Sequence, residues 1–471
     1  MDGPHETTSI ALPSSGRHEA LPVRLRVAVV VLLTANFTLA VDFSVLGVAL
    51  PRIGSELGFG TGDLQWIVTA FALCAAGFTL FFGRVADLVG RRRLFLIGIA
   101  LLGASSLVAG LAADPATLLL ARVGQGLATA MVTPAALALL TTMFPEGPAR
   151  SRVLGLSGAL MAAGFTIGAA VGGLLTGTVS WRWAFYVNVL VAVAVLIVAP
   201  FVLKETRAGR RPRLDAPGAV TVTLALVSLV SGITTAGQKG WGDPFAWVPV
   251  LVAAALITVF LRIESRVAEP LVAPALLRRP NIAWGNRAGL IAFATWTSMV
   301  FQLTLYLQEV LEFGAIPTGL IFAWLGVGTV VGGLVAPRII DRSSARWAIV
   351  GGLLVQAAAT VPLAFVSDDP GWIVPLLAAV FVGGAANLVA IVAFTVSSTS
   401  GVPAAQQGLA TGLITMSQQV GIALGTPVMA AIVTAFAGAT LLPGIRSAIG
   451  VNAAIALTTA ILVAVLLRRR R

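Results

Sequence analysis

The chain is short of the residue types on which soluble enzymes and metal sites depend. Among its 471 residues it has one cysteine, two histidines and 19 acidic residues. The single cysteine, Cys74, lies in an apolar run, which excludes an intramolecular disulfide and argues against thiol or metal chemistry. His5 and His18 both fall in the polar N-terminal stretch, so no histidine-based catalytic site and no metal site is predicted.

Lysine is almost absent as well, which bears on nucleotide chemistry. Neither Lys204 nor Lys239 ends a G-x-x-x-x-G-K-[ST] phosphate loop, so ATP hydrolysis is not expected. The glycine-rich segment 58–63 joins two apolar runs and is interpreted as a turn. A membrane enzyme would need clustered acids, a nucleophile beside a base, or metal ligands, and the apolar runs supply too few such groups. The chain is therefore not predicted to be an enzyme, and no cofactor is expected.

What the chain has in excess is apolar surface. It is 58% hydrophobic and 11% charged, with a mean hydropathy of +0.96, so it cannot cover a soluble protein of this size with polar groups. A bilayer core needs runs of roughly 20 apolar residues per helix. Such runs occupy 27–50, 64–84, 94–113, 116–143, 151–178, 183–203, 217–237, 245–262, 283–308, 316–337, 347–366, 371–395, 405–433 and 449–467. The prediction is an all-α integral membrane protein with 14 transmembrane helices.

The distribution of basic residues predicts the orientation of these spans. Of the 31 lysines and arginines, 26 fall in the N-terminal tail, the C-terminal tail and alternate loops. Retained basic loops mark the cytoplasmic side, so both termini are predicted to be cytoplasmic. The net charge of +12 then reflects topology and contact with anionic membrane lipids, and nucleic-acid binding is not expected. Residues 1–26 and 468–471 are interpreted as cytoplasmic tails.

An internal repeat divides the chain. The pattern G-x-V-A at 83–86 returns at 333–336, again followed by a basic loop. A shift of 253 positions places Gly168 on Gly421 and Gly172 on Gly425. Two six-helix bundles are therefore predicted, 27–203 and 283–467, separated by a segment, 204–282, that holds two extra transmembrane helices. Such repeats are typical of transporters that move two bundles about a central site.

Several ordered motifs carry a resemblance to a known family. GRVADLVGRRRLFLIG, residues 83–98, resembles the loop signature between helices 2 and 3 of the major facilitator superfamily. LLLARVGQGLATAMVTPA, 118–135, resembles the helix 4 signature, and VDFSVLGVALPRI, 41–53, is similar to the helix 1 signature of the fourteen-helix drug:proton antiporters. SWRWAFYVN, 180–188, and GLITMSQQVGIALG, 412–425, follow the same family.

The resemblance implies a major facilitator fold and proton-driven export of lipophilic drugs, antibiotics or a natural product across a bacterial cytoplasmic membrane. The energy source would be the proton gradient, without a bound cofactor, and the unit would be a monomer. In the family, the loop after helix 2 holds the outward-open state. The resemblance therefore implies a conformational latch, whose residues here are Gly83, Asp87, Gly90, Arg91 and Arg92.

One motif departs from the family pattern. The antiporter signature of helix 5 is written GxxxGPxxGG, and this chain has Ala169 where the proline belongs. The motif glycines are Gly164, Gly168, Gly172 and Gly173. The first three share one helix face, where small residues let helices approach closely. Because the proline kink is lost, an uptake or uniport carrier for a small metabolite stays open as the alternative function.

Two charged residues within the predicted spans suggest how coupling works. Asp42 is the one acid deep in a span, and Arg122 lies at similar depth in another span. Buried ionisable groups in membranes are costly and usually functional. We interpret Asp42 as the proton-coupling acid, with Arg122 as its partner: burial favours the neutral carboxyl and the arginine favours the ionised one. The alternative is a static ion pair that orders two helices.

Substrate residues are expected between the bundles near the middle of the membrane. The polar and aromatic side chains in the relevant spans are Asn36, Trp66, Gln125, Trp296, Met299, Gln302, Tyr306, Gln418 and Gln419. An aromatic and amide lining accepts bulky, partly apolar molecules. For each tryptophan or methionine, packing or contact with lipid is the alternative role.

Overall fold

The computed structural model describes residues 22–60, 63–144, 148–205, 215–240, 242–267, 270, 279–400, 407–438 and 440–466. Long helices dominate these residues. In chain order they are α1 (Val23–Leu57), α2 (Gln65–Val89), α3 (Arg91–Gly110), α4 (Pro115–Met143), α5 (Pro148–Thr178), α6 (Trp183–Val202), α7 (Ala216–Lys239), α8 (Pro244–Arg266), α9 (Pro280–Leu305), α10 (Ala315–Arg342), α11 (Ala345–Thr360), α12 (Ile373–Thr399), α13 (Gln407–Phe436) and α14 (Leu442–Leu466). Most of the predicted N-terminal tail, and all of the C-terminal one, lie outside the described residues.

Each predicted span overlaps one of these helices. Within the described ranges, 12 helical segments are long and apolar enough to cross a membrane, and α2 and α5 are not among them. The chain is thus an all-helical, multi-pass membrane protein. The number of 14 crossings stays a prediction.

Several helix ends differ from the predicted boundaries, for identifiable reasons. α1 continues to Leu57 instead of ending near residue 50, because Arg52 and Glu56 support its last turns as an i,i+4 ion pair with atoms 3.6 Å apart. α14 begins at Leu442, seven residues earlier than predicted. Pro443 lies in its first turn, where proline is well tolerated.

The helices form two bundles and a separate pair. In the first, α5 packs along α1, and α4 packs between α2 and α3; in the second, α13 packs along α9, and α12 packs against α10 and α11. α7 and α8 pack on each other, and α7 contacts both α2 and α13. A buried hydrogen bond from Gln65 Nε2 to Thr234 Oγ1, 3.1 Å long, joins α2 to α7. The extra pair therefore covers one flank, where the two bundles meet.

The glycines of α5 explain its close contact with α1. A Cβ atom added at Gly164 would lie 2.8 Å from the Cβ of Ala40. At Gly168 and Gly172 it would lie 2.9 and 2.8 Å from the carbonyl oxygens of Val41 and Val45. These distances are shorter than real Cβ contacts, so only glycine permits this helix spacing.

The second bundle repeats this packing. Gly421 and Gly425 of α13 bring their Cα atoms against the backbone of Leu290 and Ala294 on α9, so that an added Cβ would overlap it. The two glycines lie 253 positions after those of α5. The repeat predicted from the glycine pattern is therefore visible as an equivalent helix contact.

The bundles are joined at the end that carries the α1–α2 turn, which is the predicted outer end. There, Thr304 Oγ1 donates to the carbonyl oxygen of Gly47, and Gln308 Nε2 donates to that of Val48. Both hydrogen bonds are 3.0 Å long. A Cβ added to Gly173 would lie 2.6 Å from the carbonyl oxygen of Ala315, so α5 also packs tightly against α10. One hydrophobic cluster at this end includes residues of both bundles.

The opposite end is arranged differently. There, the described apolar residues form one cluster within the first bundle, around Leu32 and Phe95, and another within the second, around Leu353 and Phe394. In the part of the chain that the structure describes, these two clusters do not merge. Among the described residues, apolar packing therefore joins the two bundles at the predicted outer end and not at the other end.

Candidate functional site

Asp42 and Arg122 meet in the interior of the first bundle. Their residues are 1% and 0% exposed, and Arg122 Nη1 donates to Asp42 Oδ2 over 2.9 Å. Asp42 lies on α1 and Arg122 on α4, so the ion pair joins these two helices. The structure thus brings together the two charges that were singled out from the sequence.

The second carboxylate oxygen of Asp42 is also occupied. Oδ1 accepts from Gln125 Nε2 over 3.3 Å and from Asn188 Nδ2 on α6. Gln125 Nε2 also donates to Ser106 Oγ on α3, over 2.8 Å. The three groups that contact the carboxylate are all N–H donors, so both of its oxygens act as acceptors.

Arg122 has further partners that do not involve Asp42. Its Nε donates to the carbonyl oxygen of Ile67 over 2.9 Å, and Nη1 donates to Gln125 Oε1 over 2.8 Å. Its guanidinium lies over the ring of Phe71, with Cζ 4.4 Å from the centroid. Because Ile67 and Phe71 are on α2, the arginine is anchored to α2 as well as to α1.

The sequence analysis missed two members of this network. Asn188 and Ser106 are both fully buried. Asn188 ends the motif SWRWAFYVN, which carried the resemblance but received no role, and it is a lone amide in an apolar helix. Its position as a single polar residue among apolar ones could have marked it as a site residue. Ser106 offered none, because serine is common in transmembrane helices.

The second bundle holds an uncharged counterpart. Gln356 Nε2 donates to Thr295 Oγ1 over 3.0 Å, and Asn387 Nδ2 donates to Gln356 Oε1 over 3.0 Å. Asn452 Nδ2 donates to Ser298 Oγ over 2.9 Å. These residues lie on α9, α11, α12 and α14, which correspond to α1, α3, α4 and α6 in the repeat. The charged network is therefore specific to the first bundle.

Burial of acids is not confined to Asp42. Asp215 and Glu264 are each 2% exposed, at the start of α7 and near the end of α8. Asp215 Oδ1 accepts from the backbone N–H of Gly218 over 2.8 Å, which is a helix-capping contact. Both acids lie near helix ends, whereas Asp42 lies well inside α1.

The predicted substrate residues do not share one lining in this conformation. Gln125 belongs to the Asp42 network. Asn36 Nδ2 donates to Ser157 Oγ over 3.2 Å, and the hydroxyl of Tyr306 donates to the carbonyl oxygen of Ser367 over 2.7 Å. These three side chains therefore bond to other parts of the protein.

The remaining candidates are spread over three places. Trp296 and Met299 line a cavity of about 20 Å³ within the second bundle, large enough for a water molecule. Gln302 is fully buried, and neither atom of its amide has a hydrogen-bond partner in the described structure. Trp66 packs against the cluster formed by α2, α7 and α13, and Gln418 and Gln419 are half-buried on α13. Their role in substrate binding stays a prediction.

The predicted latch lies at the α2–α3 turn. Gly90 adopts φ +117, which favours glycine, and α3 begins at Arg91. The carboxylate of Glu205 accepts the backbone N–H groups of Arg92 and Arg93 over 3.1 and 3.3 Å, and Arg92 Nη2 donates to the carbonyl oxygen of Pro200 over 2.7 Å. The turn is thus tied to the end of α6, a contact that the sequence analysis missed.

Gly83 and Asp87 are two further residues of the predicted latch. A Cβ added to Gly83 would lie 3.6 Å from the Cβ of Pro134, an ordinary contact, so packing does not require glycine at this position. α2 simply leaves enough room for a side chain there. The side chain of Asp87 lies outside the described part of the structure.

Comparison with known proteins places this architecture in a family. The family model described as Major Facilitator Superfamily matches residues 32–426 and 288–471. Among solved structures, the nucleoside transporter NupG has a TM-score of 0.65 at 14% identity, and the human organic anion transporter MFSD10 a TM-score of 0.62 at 18% identity. Each match covers 94% of this chain and all of the other, and shows a shared fold.

Several curated relatives have a higher sequence identity to this chain than these two structures have. The cephamycin export protein CmcT of Amycolatopsis lactamdurans is 38% identical over 410 residues, which cover 85% of this chain and 84% of the relative. The puromycin resistance protein pur8 of Streptomyces alboniger is 36% identical, with 88% and 82% covered. The lincomycin resistance protein of Streptomyces lincolnensis is 32% identical, with 86% and 84% covered. The chain therefore belongs to the major facilitator superfamily and is a membrane transporter, not an enzyme.

Proposed function

We propose that this transporter exports a lipophilic antibiotic or related natural product in exchange for protons. The observation that carries the proposal is the buried carboxylate of Asp42, held by Arg122 and two amides in a bundle whose counterpart is neutral. The relatives, a cephamycin export protein and proteins of puromycin and lincomycin resistance, support the direction and the substrate class.

The contacts of Asp42 suggest how a proton changes the conformation. While the carboxylate is ionised, it binds α1 to α4 and α6. A proton on Asp42 removes the charge and occupies one acceptor position, so its donors are no longer all satisfied. Arg122 is not left unpaired, because Ile67 and Gln125 still accept from it. Protonation therefore frees α1, and Arg122 keeps these two hydrogen bonds although it loses its counter-charge.

The same helix carries the contact that closes the outer end. Gly47 and Val48 on α1 accept hydrogen bonds from Thr304 of α9 and from Gln308, three residues after its end, and Gly47 lies five residues after Asp42. Five residues of α-helix span about 7.5 Å. A shift of α1 when Asp42 gains or loses its proton would therefore reach the contact between the bundles within two helical turns. This short connection is the coupling route that we propose.

The overall arrangement fits one stage of an alternating-access cycle. In the described part of the chain, apolar packing joins the outer ends and not the other ends, which supports entry of substrate from the predicted cytoplasmic side with Asp42 ionised. Opening toward the outside would then require separation of α5 from α10 and of α1 from α9. We further propose that both termini are cytoplasmic, that the membrane is a bacterial cytoplasmic membrane, and that a monomer suffices.

The rival function, uptake or uniport, rests on Ala169 in the helix 5 motif. The close packing of α5 on α1 needs its glycines, and Gly168 and Gly172 provide it without the proline. This observation favours the exporter.

The experiment is a flux assay in proteoliposomes with an imposed pH gradient. A substrate is first identified by growth inhibition of a pump-deficient strain with and without the transporter. Antiport predicts that the substrate moves toward the acidic compartment and that protons move in the opposite direction. Substrate movement that ignores the pH gradient would support uniport.

A further inference from the structure

A recess lies on the lateral surface of the second bundle, away from the Asp42 network. It is a groove of about 400 Å³ between α10, α11 and α12. Every residue that lines it is Gly, Ala, Val, Ile, Phe or Trp. Val335, Val355 and Val382 in its walls are 39%, 46% and 43% exposed, so the groove opens to the surroundings of the bundle. In a membrane transporter, those surroundings are lipid.

Glycines produce this groove. Gly332 of α10 and Gly352 of α11 pack directly on the backbone of α12, so the three helices converge at the floor. Gly351, which lines the groove, has no heavy atom within 4 Å of the position that its Cβ would occupy. A long side chain at this position would therefore fill the groove and not clash with its walls.

Arginines stand at one end of the groove. Val331, Val335, Arg338 and Arg342 follow a spacing of four, three and four residues, which places them along one face of α10. Both arginines are exposed, and among the described residues no carboxylate forms a salt bridge with either one. Asp341 is the one acid in this turn. The end of the groove is thus net positive.

The other side of this end carries an aromatic and a third cation. Trp347 lines the groove and is 52% exposed. The guanidinium of Arg346 stacks on its ring, with Cζ 4.9 Å from the centroid. Tryptophan and arginine are typical of the layer where lipid headgroups meet the hydrocarbon core. The groove therefore runs from that layer into the apolar part of the bilayer.

We propose that this groove is a binding site for an anionic phospholipid. One acyl chain lies along the apolar walls, and the phosphate is bound by Arg338 and Arg342. A second copy of the chain fits less well, because its own basic turn would meet these arginines in a symmetric contact. An apolar transported molecule would use the walls but not the charges. The lipid is the occupant that uses both parts of the groove.

The test is native mass spectrometry of the purified transporter with phosphatidylglycerol or phosphatidylcholine of matched chains. Arg338→Gln/Arg342→Gln removes the two charges, and Gly351→Phe fills the groove. Arg287→Gln is the control, since Arg287 is exposed like Arg338 and Arg342 but lies outside the groove. Each basic residue contributes about fivefold to binding of an anionic lipid, so we expect about thirtyfold weaker retention of phosphatidylglycerol in the double variant.

Gly351→Phe should reduce retention of phosphatidylglycerol while the thermal unfolding temperature in detergent stays unchanged. Arg287→Gln should retain the lipid as the wild type does. Equal retention of phosphatidylcholine by the wild type, or unchanged retention in both groove variants, would overturn the proposal. So would a wild-type dimer that Gly351→Phe dissociates, because the groove would then be an interface between copies. None of these outcomes depends on transport activity.

Discussion

The side chain of Arg122 has two sets of contacts, and a substitution can remove one set without the other. One set is the ion pair with Asp42, and the other is the carbonyl oxygen of Ile67 with the ring of Phe71. The first set depends on the protonation of Asp42, and the second does not. Lysine could replace the charge but not the planar, multidentate geometry.

We expect Arg122→Ala to destabilise the transporter by about 3–5 kcal/mol, because Asp42 would be left as a buried charge without a counterion. Asp42→Asn/Arg122→Ala should recover part of this loss, since the remaining amide is neutral. Thermal unfolding in detergent measures both variants. Equal loss in the single and the double variant would contradict a functional ion pair and leave Arg122 with a packing role only.

Asn188 and Asn452 offer a matched comparison. Both are fully buried amides on α6 and α14, and only Asn188 contacts a titratable group. Asn188→Leu and Asn452→Leu should each cost about 1–3 kcal/mol of stability, because each leaves a buried partner unsatisfied. Only Asn188→Leu should change the dependence of transport on pH. The same pH profile in both variants would remove Asn188 from the coupling network.

Part of this site could be predicted from the sequence. The residues that could be predicted are those whose burial costs the most free energy. Asp42 and Arg122 could be predicted because a charge in an apolar run is expensive. Asn188 and Ser106 could not be assigned a role, since neutral polar groups in a membrane helix cost less and occur for many reasons. The hydrogen bonds of Tyr306 and Asn36 depend on which helices become neighbours, which a single sequence does not state.

The pairing of α5 with α1 depends on glycine at defined positions. Gly172→Ala would place a Cβ 2.8 Å from the carbonyl oxygen of Val45. We expect it to lower stability by about 1–3 kcal/mol and to reduce transport, since backbone must move to relieve the overlap. Gly383→Ala is the control, because its Cβ would make an ordinary 3.8 Å contact with Ala359. If the two variants behave alike in unfolding and transport assays, close packing of α5 is not required.

Helix positions were predictable from hydropathy, and helix ends were not. Bilayer-length apolar runs indicated all of the long helices in the described residues. The last turns of α1 are polar, and they are stabilised by Arg52 and by Arg182, whose Nη1 lies 2.8 Å from Glu56. Such contacts lie beyond the apolar run, so hydropathy does not predict where the helix ends.

The closed outer end predicts a cross-link. A Cβ at Gly177 would lie 2.7 Å from Cγ1 of Ile316, so α5 and α10 touch there. In a Cys74→Ser background, Gly177→Cys/Ile316→Cys should form a disulfide under mild oxidation and block transport, and reduction should restore it. A paired variant that transports normally while fully cross-linked would show that this end need not open.

The described structure combines a charged polar network in the first bundle with an uncharged one in the second. Coupling in the first bundle and passive packing in the second would explain why a single acid suffices. The buried amides of the second bundle then maintain its shape while α1 moves. The extra pair, α7 and α8, covers the flank where α2 meets α13, and so leaves the α5–α10 contact as the part that has to open.

The most direct measurement is transport by Asp42→Asn in proteoliposomes, in two modes. Asparagine keeps the size of the side chain and one acceptor oxygen but cannot take up a proton. The proposed mechanism predicts that export driven by a pH gradient falls by at least about tenfold, while exchange of labelled for unlabelled substrate without a gradient persists. Gradient-driven export at the wild-type rate in this variant would contradict the assignment of Asp42 as the proton-coupling acid.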